Sequence, residues 1–461
     1  MPYRWTLERM AAAVRRKEIA PVELVEAHLA RIERRNPEIN AFVRVMADEA
    51  RRRARELTGQ EPTGPLHGIP VTVKDSFDVA GFPTYCGSRL RLEHRAAADS
   101  TAAARFRAAG AVLLGKTNCP EFLMNYETDN HITGRTNNPW NLARTPGGSS
   151  GGEAAAIAGR CSAGGVGSDG GGSIRVPAHF CGIAGLKPTP GRCSAAGHYP
   201  EICHPGGLLG VAGPMARTAR DVRLLFEVLA GHDPQDPFSA PVAIRRPSLD
   251  GLRIGVMEQI GDIPVEPVSR DGVRAATACL EASGFPVEPV RIAAAERAAA
   301  LWSFFFKELP LTVLREFLNW HRDKLHWTGT ELWDEVADRP QPAARDVLEK
   351  LVTRDRLRGQ MLADMERHRV LLWPACGVTA FPHRQRHWEV PEGALGYADA
   401  MAPLTPANVL GLPAMVVPMT LTPDGLPAGV QLIGRPWDEE LLLEVAERLE
   451  EARGPFPDPP E

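Results

Sequence analysis

Residues 147–172 contain eleven glycines in 26 positions, whereas the whole chain of 461 residues contains 43. Glycine is required where the backbone takes a positive φ or closely approaches another group, and it weakens ordinary helices and strands. A flexible linker would have a similar composition. However, the apolar runs AAAIAG and IRVPAHFCGIAGLKP lie within and directly after the segment. We therefore predict a buried, functional system of loops here.

Predicted strands and helices alternate on the N-terminal side of this segment. In LHGIPVTVKD, Ile69, Val71 and Val73 fall on one face of a predicted strand, while Thr72 and Lys74 fall on the other. The run TAAARFRAAG is helix-like, and the AVLLGKT that follows it has the composition of a buried strand. This alternation is typical of α/β proteins and predicts an α/β fold.

The chain shows no internal repeats and no clear linker, so residues 1–461 are predicted to form a single domain. Residues 1–60 are predicted to be packing helices. Residues 400–452 are predicted to return to core strands and a C-terminal helix. The final PFPDPPE is expected to be a loose tail.

The segment from about residue 290 to 390 is rich in aromatic residues. Four of the nine tryptophans lie between residues 302 and 333, at 302, 320, 327 and 333, together with three successive phenylalanines at 304–306. Two interpretations fit this composition. The segment is either a variable cap over a substrate pocket or a helical hairpin whose aromatic side chains are core.

The net charge of −4 and an isoelectric point near 6.4 give no broad positive field. Nucleic acid and membranes are therefore not expected as partners, and a small, roughly neutral substrate is expected. A monomer or homodimer is also expected. No window approaches the ~20 apolar residues of a spanning helix, and the N-terminus lacks a signal-peptide pattern, so we predict a cytoplasmic protein.

The eight cysteines form no Cys-x-x-Cys pair and show no zinc-like spacing with histidine. In a chain of this length, disulfides are not needed to stabilise a core. We predict free thiols and no metal site.

Three short motifs match binding patterns but lack the structural context that each pattern needs. GAVLLGKT at 110–117 fits a phosphate loop, but its variable positions are predicted to be a buried strand after a helix. GVGSDG at 165–170 fits a dinucleotide fingerprint without a clear strand before it. GGSSG at 147–151 fits a nucleophile elbow, but the polar, proline-broken NPWNLARTP precedes it. ATP binding remains a minor alternative that nucleotide titration would test.

The segment SDGGGSIR offers two things that acyl-bond hydrolysis requires, a nucleophile and backbone donors for an oxyanion. Three glycines before Ser173 leave their amides sterically open, so N–H groups could face an oxyanion while the hydroxyl attacks. A helix-capping role for Ser173 is the ordinary alternative. Capping does not explain the three glycines.

The chain resembles the amidase-signature family. Residues 147–192, GGSSGGEAAAIAGRCSAGGVGSDGGGSIRVPAHFCGIAGLKPTPGR, are similar to the signature region, including the spacing of 24 between Ser149 and Ser173. GIPVTVKD, GKTNCPEF and TPANVLGLPAMVVP resemble flanking blocks, and the likeness weakens only at about 255–390. The resemblance implies one large domain with a mixed, twisted sheet flanked by helices on both faces, and a catalytic core at 66–250 that includes the signature loop.

Carried over position by position, the resemblance implies that Ser173 is the nucleophile, Lys74 is the base and Ser149 bridges the two. It also implies a cis peptide bond between Gly148 and Ser149. The implied oxyanion-hole residues are Gly170, Gly171 and Gly172. The implied supporting residues are Ser150, Asp169 and Arg175. Gly170 departs from the family pattern, because members often carry a side chain there.

A lysine base must be neutral, yet a free lysine has a pKa of ~10.4 and is almost wholly protonated at neutral pH. Burial without a carboxylate partner would lower that pKa. Asp75 would point to the opposite face of the strand from Lys74. Only seven of the 53 basic residues are lysines, and Lys116 and Lys187 compete with Lys74 for this role when the resemblance is set aside.

These expectations predict a serine amidohydrolase that cleaves C–N bonds of small acyl or aryl amides, and also esters and carbamates, through an acyl-enzyme on Ser173. Neither a metal nor an organic cofactor is implied. The main alternative is the glutamine-hydrolysing subunit of a tRNA-dependent amidotransferase. We rank that alternative second, because the aromatic segment favours an apolar or aryl substrate. A catalytically inactive binding module is a further alternative.

Overall fold

A computed structural model describes residues 1–203 and 206–461. The helices are α1 (Leu7–Arg15), α2 (Pro21–Ile39), α3 (Ala47–Thr58), α4 (Thr101–Ala108), α5 (Gly151–Ala158), α6 (Arg175–Cys181), α7 (Ala219–Leu229), α8 (Pro267–Ala282), α9 (Ala293–Ser303), α10 (Leu309–Trp320), α11 (Trp327–Asp334), α12 (Ala344–Asp364), α13 (Tyr397–Met401), α14 (Thr405–Val409) and α15 (Glu439–Arg453). Short 3-10 turns lie at Pro2–Arg4, Arg89–Arg91, Glu121–Leu123, Gly206–Leu208 and Ala402–Leu404, and a π-helical turn spans Phe304–Glu308.

The strands are β1 (Phe42–Val45), β2 (Pro70–Lys74), β3 (Val112–Thr117), β4 (Gly164–Asp169), β5 (Ala184–Lys187), β6 (Val211–Ala216), β7 (Ile254–Val256), β8 (Val287–Pro289), β9 (Val370–Pro374), β10 (His387–Val390), β11 (Gly393–Gly396), β12 (Ala414–Leu421) and β13 (Pro427–Gly434). Eleven of them form one sheet in the order β1-β3-β2-β4-β6-β5-β12-β13-β9-β7-β8. β10 and β11 form a separate hairpin. The sheet is mixed, because β2 runs parallel to β3 and β4 while β4 runs antiparallel to β6. The predicted α/β fold is confirmed.

Helices cover both faces of the sheet, as neighbouring residues of β3 demonstrate. Leu113 belongs to a core that includes side chains of α4, α7 and α15. Val112 and Leu114 point the other way, into a core with α2, α3 and α5. This alternation follows from the two-residue period of a strand. It explains why β3 is apolar at successive positions, because both of its faces are buried.

The N-terminal and C-terminal ends differ from their sequence-based descriptions. Within residues 1–60, β1 lies between α2 and α3 and pairs with β3. The expectation of a loose C-terminal tail is wrong. Arg31 Nη1 lies 3.0 Å from Glu461 Oε2, and Phe456 packs edge-on against Trp140 with ring centroids 5.9 Å apart. These two partners lie more than 300 positions away, so the local composition of the tail did not reveal them.

The parallel arrangement of β2 and β4 creates the site. Lys74 is the last residue of β2, and Asp169 is the last residue of β4. Carboxyl ends of parallel strands meet at the same sheet edge, so the loops after both strands come together there.

Glycines in β4 allow α5 and β2 to approach closely. A Cβ at Gly165 would lie 2.1 Å from Glu153 Oε1 and 2.2 Å from Thr72 O. All eight residues of α5 are buried. The prediction that the glycine-rich segment is buried is therefore confirmed, and the linker interpretation is excluded.

Within the described residues, none of the helices combines the length and the apolar character needed to cross a bilayer.

The sheet core should be sensitive to the loss of Trp373, which is fully buried on β9 and donates from Nε1 to Pro403 O at 3.0 Å. We expect Trp373→Ala to lower the free energy of unfolding by ~3–5 kcal/mol, through lost burial and the resulting cavity. Urea titration followed by far-UV circular dichroism measures this change. Trp320→Ala is the matched control, because Trp320 is 78% exposed. Equal destabilisation by both substitutions would contradict this description of the core.

Candidate active site

Lys74 is fully buried, and its Nζ contacts two serine hydroxyls. The amine donates to Ser149 Oγ at 2.7 Å and to Ser168 Oγ at 3.0 Å. Burial lowers the pKa of Lys74 to about 8, because the charged form loses its hydration. Asp75 points away and pairs through Oδ1 with Lys116 Nζ at 2.8 Å, as the strand alternation predicted. A neutral amine is therefore accessible near neutral pH.

The two competing lysines have other surroundings. Besides Asp75, Lys116 Nζ has Pro83 O at 2.7 Å and Thr84 Oγ1 at 2.6 Å. Lys187 is buried on β5, where burial lowers its pKa to about 7, and its Nζ donates to Pro188 O at 2.9 Å. The geometry thus favours Lys74 as the amine that can exchange a proton with Ser149.

Ser149 follows a cis peptide bond with Gly148, as expected from the sequence. The turn at Gly148 is tightly covered, because a Cβ there would lie 2.5 Å from Asn125 O. The next residue, Ser150, ties this turn to the loop after β4. Its N–H donates to Ser173 O at 3.1 Å, and its Oγ donates to Ser168 O at 3.3 Å.

Ser173 lies at the end of the glycine loop, and it lines the same cavity as Ser149 and Ser168. Gly172 before it has a φ of 121°, which side chains disfavour. The N–H of Gly172 donates to Asp169 Oδ1 at 2.8 Å. The amide of Gly172, which was predicted as an oxyanion donor, is therefore already engaged in this structure.

Two aromatic residues hold the other peptide groups of the loop. Trp302 Nε1 donates to Gly170 O at 3.1 Å, and the Tyr126 hydroxyl donates to Gly171 O at 2.9 Å. In a trans peptide the N–H points opposite to the C=O, so the N–H of Gly171 is directed away from the Trp302 indole. The amides of Gly171 and Ser173 have no acceptor within the described part of the chain.

A buried ion pair braces this loop from behind. Arg175 Nε and Nη2 each donate to Asp169 at 3.0 Å, and both side chains are fully buried. Burial alone would raise the pKa of Asp169, but the guanidinium and the hydrogen bonds to the carboxylate hold it well below its usual range. Arg175 also reaches Asn408 Oδ1 at 2.5 Å and Gln431 Oε1 at 3.1 Å.

Several residues of the site had no local signal in the sequence. Tyr126 lies in an irregular segment, and Gln431 is one polar residue in β13. Asn408 lies within the block TPANVLGLPAMVVP, whose family resemblance could have drawn attention to it. Ser168, a second partner of Lys74, is the first residue of the segment SDGGGSIR, but no role was predicted for it.

The cavity at Ser173 has a volume of about 270 Å³, and its wall is largely apolar. Its described lining residues are Phe122, Leu123, Met124, Ser149, Ser168, Asp169, Gly170, Ser173, His198, Pro200, Glu201, Ile202, Cys203, Gly210, Phe305, Phe306, Pro310, Val313, Leu314 and Trp333. Arginine and lysine are absent from these described lining residues. The aromatic segment thus contributes both core residues, such as Phe304, and cavity walls, such as Phe306.

His198 adds a neutral polar group to the cavity wall. Its Nδ1 lies 2.7 Å from Pro200 O, which fixes the proton on this nitrogen. Burial and the nearby Lys74 lower the pKa of His198 to about 3. In the described part of the chain, no three histidine, cysteine, aspartate or glutamate side chains converge in a way that could hold a metal ion.

The sequence model of the family described as Amidase matches residues 23–443. The chain belongs to this amidase family. Among solved structures, a 6-aminohexanoate cyclic dimer hydrolase complexed with substrate superposes with a TM-score of 0.86 at 31% identity, covering 98% of this chain and 97% of that one. A bacterial aryl acylamidase of the amidase-signature family gives 0.86 at 28% identity, covering 97% and 96%. This amidase is accordingly a hydrolase of amide bonds.

A further relative is a glutamyl-tRNA(Gln) amidotransferase subunit of Roseiflexus sp. (strain RS-1). It is 36% identical over 477 residues, covering 96% of this chain and 95% of that protein. The sequence-based exclusion of nucleic acid as a partner is overturned by this relative and is wrong. The physical reason is that the net charge of one chain describes only that chain, and it excludes neither partner proteins nor an RNA bound by an assembly.

We expect the buried Asp169–Arg175 ion pair to contribute to the stability of the amidase. Asp169→Asn leaves a buried guanidinium without its counter-charge, and we expect the free energy of unfolding to fall by ~3–5 kcal/mol. Chemical denaturation at pH 7 measures the change. Glu349→Gln is the control, because the Arg345–Glu349 pair is exposed and should contribute almost nothing. A negligible effect of Asp169→Asn would show that this pair does not brace the loop.

Proposed function

We propose that this amidase hydrolyses small amides with apolar acyl or aryl groups through an acyl-enzyme on Ser173. The observation that carries the proposal is the largely apolar, aromatic-walled cavity beside Ser173. Its described wall contains no cationic side chain that would need an anionic partner. An uncharged substrate group is therefore favoured there by hydrophobic burial.

In the proposed reaction, Ser173 Oγ attacks the substrate carbonyl carbon. The hydroxyl proton of Ser173 passes to Ser149, whose own proton passes to the neutral amine of Lys74. The carbonyl π electrons move to oxygen, where the amides of Gly171 and Ser173, and that of Gly170 as predicted from the sequence, would stabilise the negative charge. Gly172 is assigned a different role, because its positive φ and its bond to Asp169 shape the loop.

The tetrahedral intermediate then collapses. The C–N bond breaks, and the proton held by Lys74 returns through Ser149 to the leaving nitrogen, which departs as a neutral amine. Water attacks the acyl-enzyme with the same relay as base, and the carboxylic acid leaves Ser173. Esters and carbamates have a carbonyl that the same steps can attack.

Glutamine hydrolysis within a tRNA-dependent amidotransferase is the second candidate. The 36% identity to the Roseiflexus amidotransferase chain supports it. Glutamine carries an α-carboxylate, which inside a cavity would require a cationic or multiply hydrogen-bonded partner. The described cavity wall offers Glu201 for the ammonium but no arginine or lysine for the carboxylate. The apolar-amide proposal is therefore ranked first.

A covalent probe tests the nucleophile. We expect intact mass spectrometry after incubation with a fluorophosphonate to show one adduct in the wild type and none in Ser173→Ala, because only an activated serine reacts. Ser248→Ala is the matched control, since Ser248 lies far along the chain in an exposed pair with Asp250. An adduct that persists in Ser173→Ala would sink the assignment.

Substrate class is tested in parallel with 4-nitroanilides of acetic, butyric, hexanoic and benzoic acid, and with glutamine. We expect anilide turnover by the isolated chain and slower release of ammonia from glutamine. Ammonia release that exceeds anilide turnover would transfer support to the amidotransferase candidate. No adduct and no turnover of any substrate would support an inactive binding module.

The pH dependence of turnover tests the base. Because Lys74 acts only when deprotonated, and burial lowers its pKa to about 8, kcat/KM for an uncharged anilide should rise with pH through about 8 and then level off. Lys74→Ala should abolish amide turnover. Lys187→Met is the control, because Lys187 is also buried with a lowered pKa but does not contact Ser149. If Lys187→Met lost the rise of kcat/KM with pH while Lys74→Ala kept it, the base would be Lys187 and not Lys74.

A further inference from the structure

Two stacked aromatic side chains from the variable segment lie on the catalytic glycine loop. Trp302, near the end of α9, and Phe306, in the π-helical turn, have ring centroids 4.6 Å apart and an interplanar angle of 18°. Trp302 Nε1 donates to Gly170 O at 3.1 Å. The segment that differs from the family pattern therefore directly contacts the loop that precedes Ser173.

Space, and not backbone conformation, disfavours side chains at positions 170 and 171. Gly172 has a φ of 121°, whereas Gly170 and Gly171 lie outside the positive-φ region. A Cβ at Gly170 would lie 3.0 Å from Phe306 Cε2. A Cβ at Gly171 would lie 2.6 Å from the Trp302 ring. The aromatic pair occupies the volume that side chains at these positions would take.

The same contact forms part of the cavity wall. Gly170 and Phe306 both line the cavity beside Ser173, together with Phe305. A π-helical turn adds a residue to the helix, and such turns are frequent at functional sites. Here the turn brings Phe305 and Phe306, which are adjacent in sequence, to the same cavity.

We propose that Gly170 and Phe306 form a size-selecting pair, in which the absence of a side chain at 170 admits the Phe306 ring as the wall that limits the acyl or aryl group beside Ser173. This inference rests on the proposed function and deepens it by naming the residues that set substrate size. A larger residue at 170 competes with the Phe306 ring for one volume and narrows the cavity. A smaller residue at 306 widens it.

Trp302 is a positioning residue in this arrangement. Its ring supports Phe306, and its N–H holds the peptide plane that carries the Gly171 amide. Trp302→Phe keeps a ring but removes the N–H. It should lower kcat for all anilides by a similar factor, with little change in their KM values and in the chain-length preference.

The test compares kcat/KM for acetyl and hexanoyl 4-nitroanilide in the wild type, Gly170→Thr, Phe306→Ala and the double variant. Gly170→Thr should lower the hexanoyl-to-acetyl ratio by about tenfold or more, because a single methylene in an apolar pocket changes discrimination by ~10–200-fold. Phe306→Ala should raise the ratio. The double variant should have nearly the ratio of Phe306→Ala, well above the product of the two single effects, because side chains in contact are not additive.

An unchanged ratio in Gly170→Thr, or purely additive effects in the double variant, would overturn the size-selecting pair. If Gly170→Thr does not fold, Gly170→Ala adds one carbon at 3.0 Å from the ring and gives the same ratio measurement. Trp320→Ala is the control for altering an aromatic residue of the same segment, because Trp320 is exposed and outside the cavity wall.

Fluorophosphonate labelling of every variant separates the two hypotheses. Adducts in all variants with unchanged chain-length ratios would overturn the size-selecting pair and leave the proposed nucleophile intact. No adduct and no turnover in the wild type would overturn the proposed function, and the size-selecting pair with it. Adducts in all variants with the expected ratios would support both.

Discussion

The buried amine of Lys74 is the constraint on which the site depends. It has two serine hydroxyls as hydrogen-bond partners, and within the described residues no carboxylate pairs with it. A carboxylate in contact would stabilise the charged form and remove the amine as a base. The neighbouring Asp75 is satisfied by Lys116 on the other side of the strand. Burial therefore lowers the pKa of Lys74 to about 8, while a second lysine pairs with the adjacent carboxylate on the opposite face of the strand.

The surroundings of a second buried carboxyl group, that of Glu153, differ from those of Asp75. Glu153 on α5 is fully buried and is held by Thr72 and by Thr117 Oγ1 at 2.6 Å. Burial raises its pKa to about 7, although Lys74 and these hydroxyls oppose the rise. A carboxyl group that is partly neutral near pH 7 perturbs the amine less than a full negative charge would. The glycines permit β2, β4 and α5 to pack closely. This close packing buries both Lys74 and Glu153.

Much of the fold and site could be predicted, because their signals were local. Strand alternation placed Lys74 and Asp75 on opposite faces, and the glycine composition indicated close backbone packing. The family resemblance predicted the roles of Ser149 and Ser173. Other features were invisible because their partners are remote: Tyr126 holds Gly171 from an irregular loop, and the C-terminal tail binds residues of the first helices. The exclusion of nucleic acid failed because net charge says nothing about an assembly.

The sequence by itself determined the α/β class, the amidase resemblance and the identities of the groups that could react, because these depend on periodicity and on residue types at fixed spacing. Only the tertiary structure decided which glycine amides remain free, since Asp169 takes that of Gly172. It alone brought the Trp302–Phe306 pair onto the loop and made the cavity apolar. Hydrogen-bond partners and excluded volume are properties of residues distant in sequence, so only folding brings them together.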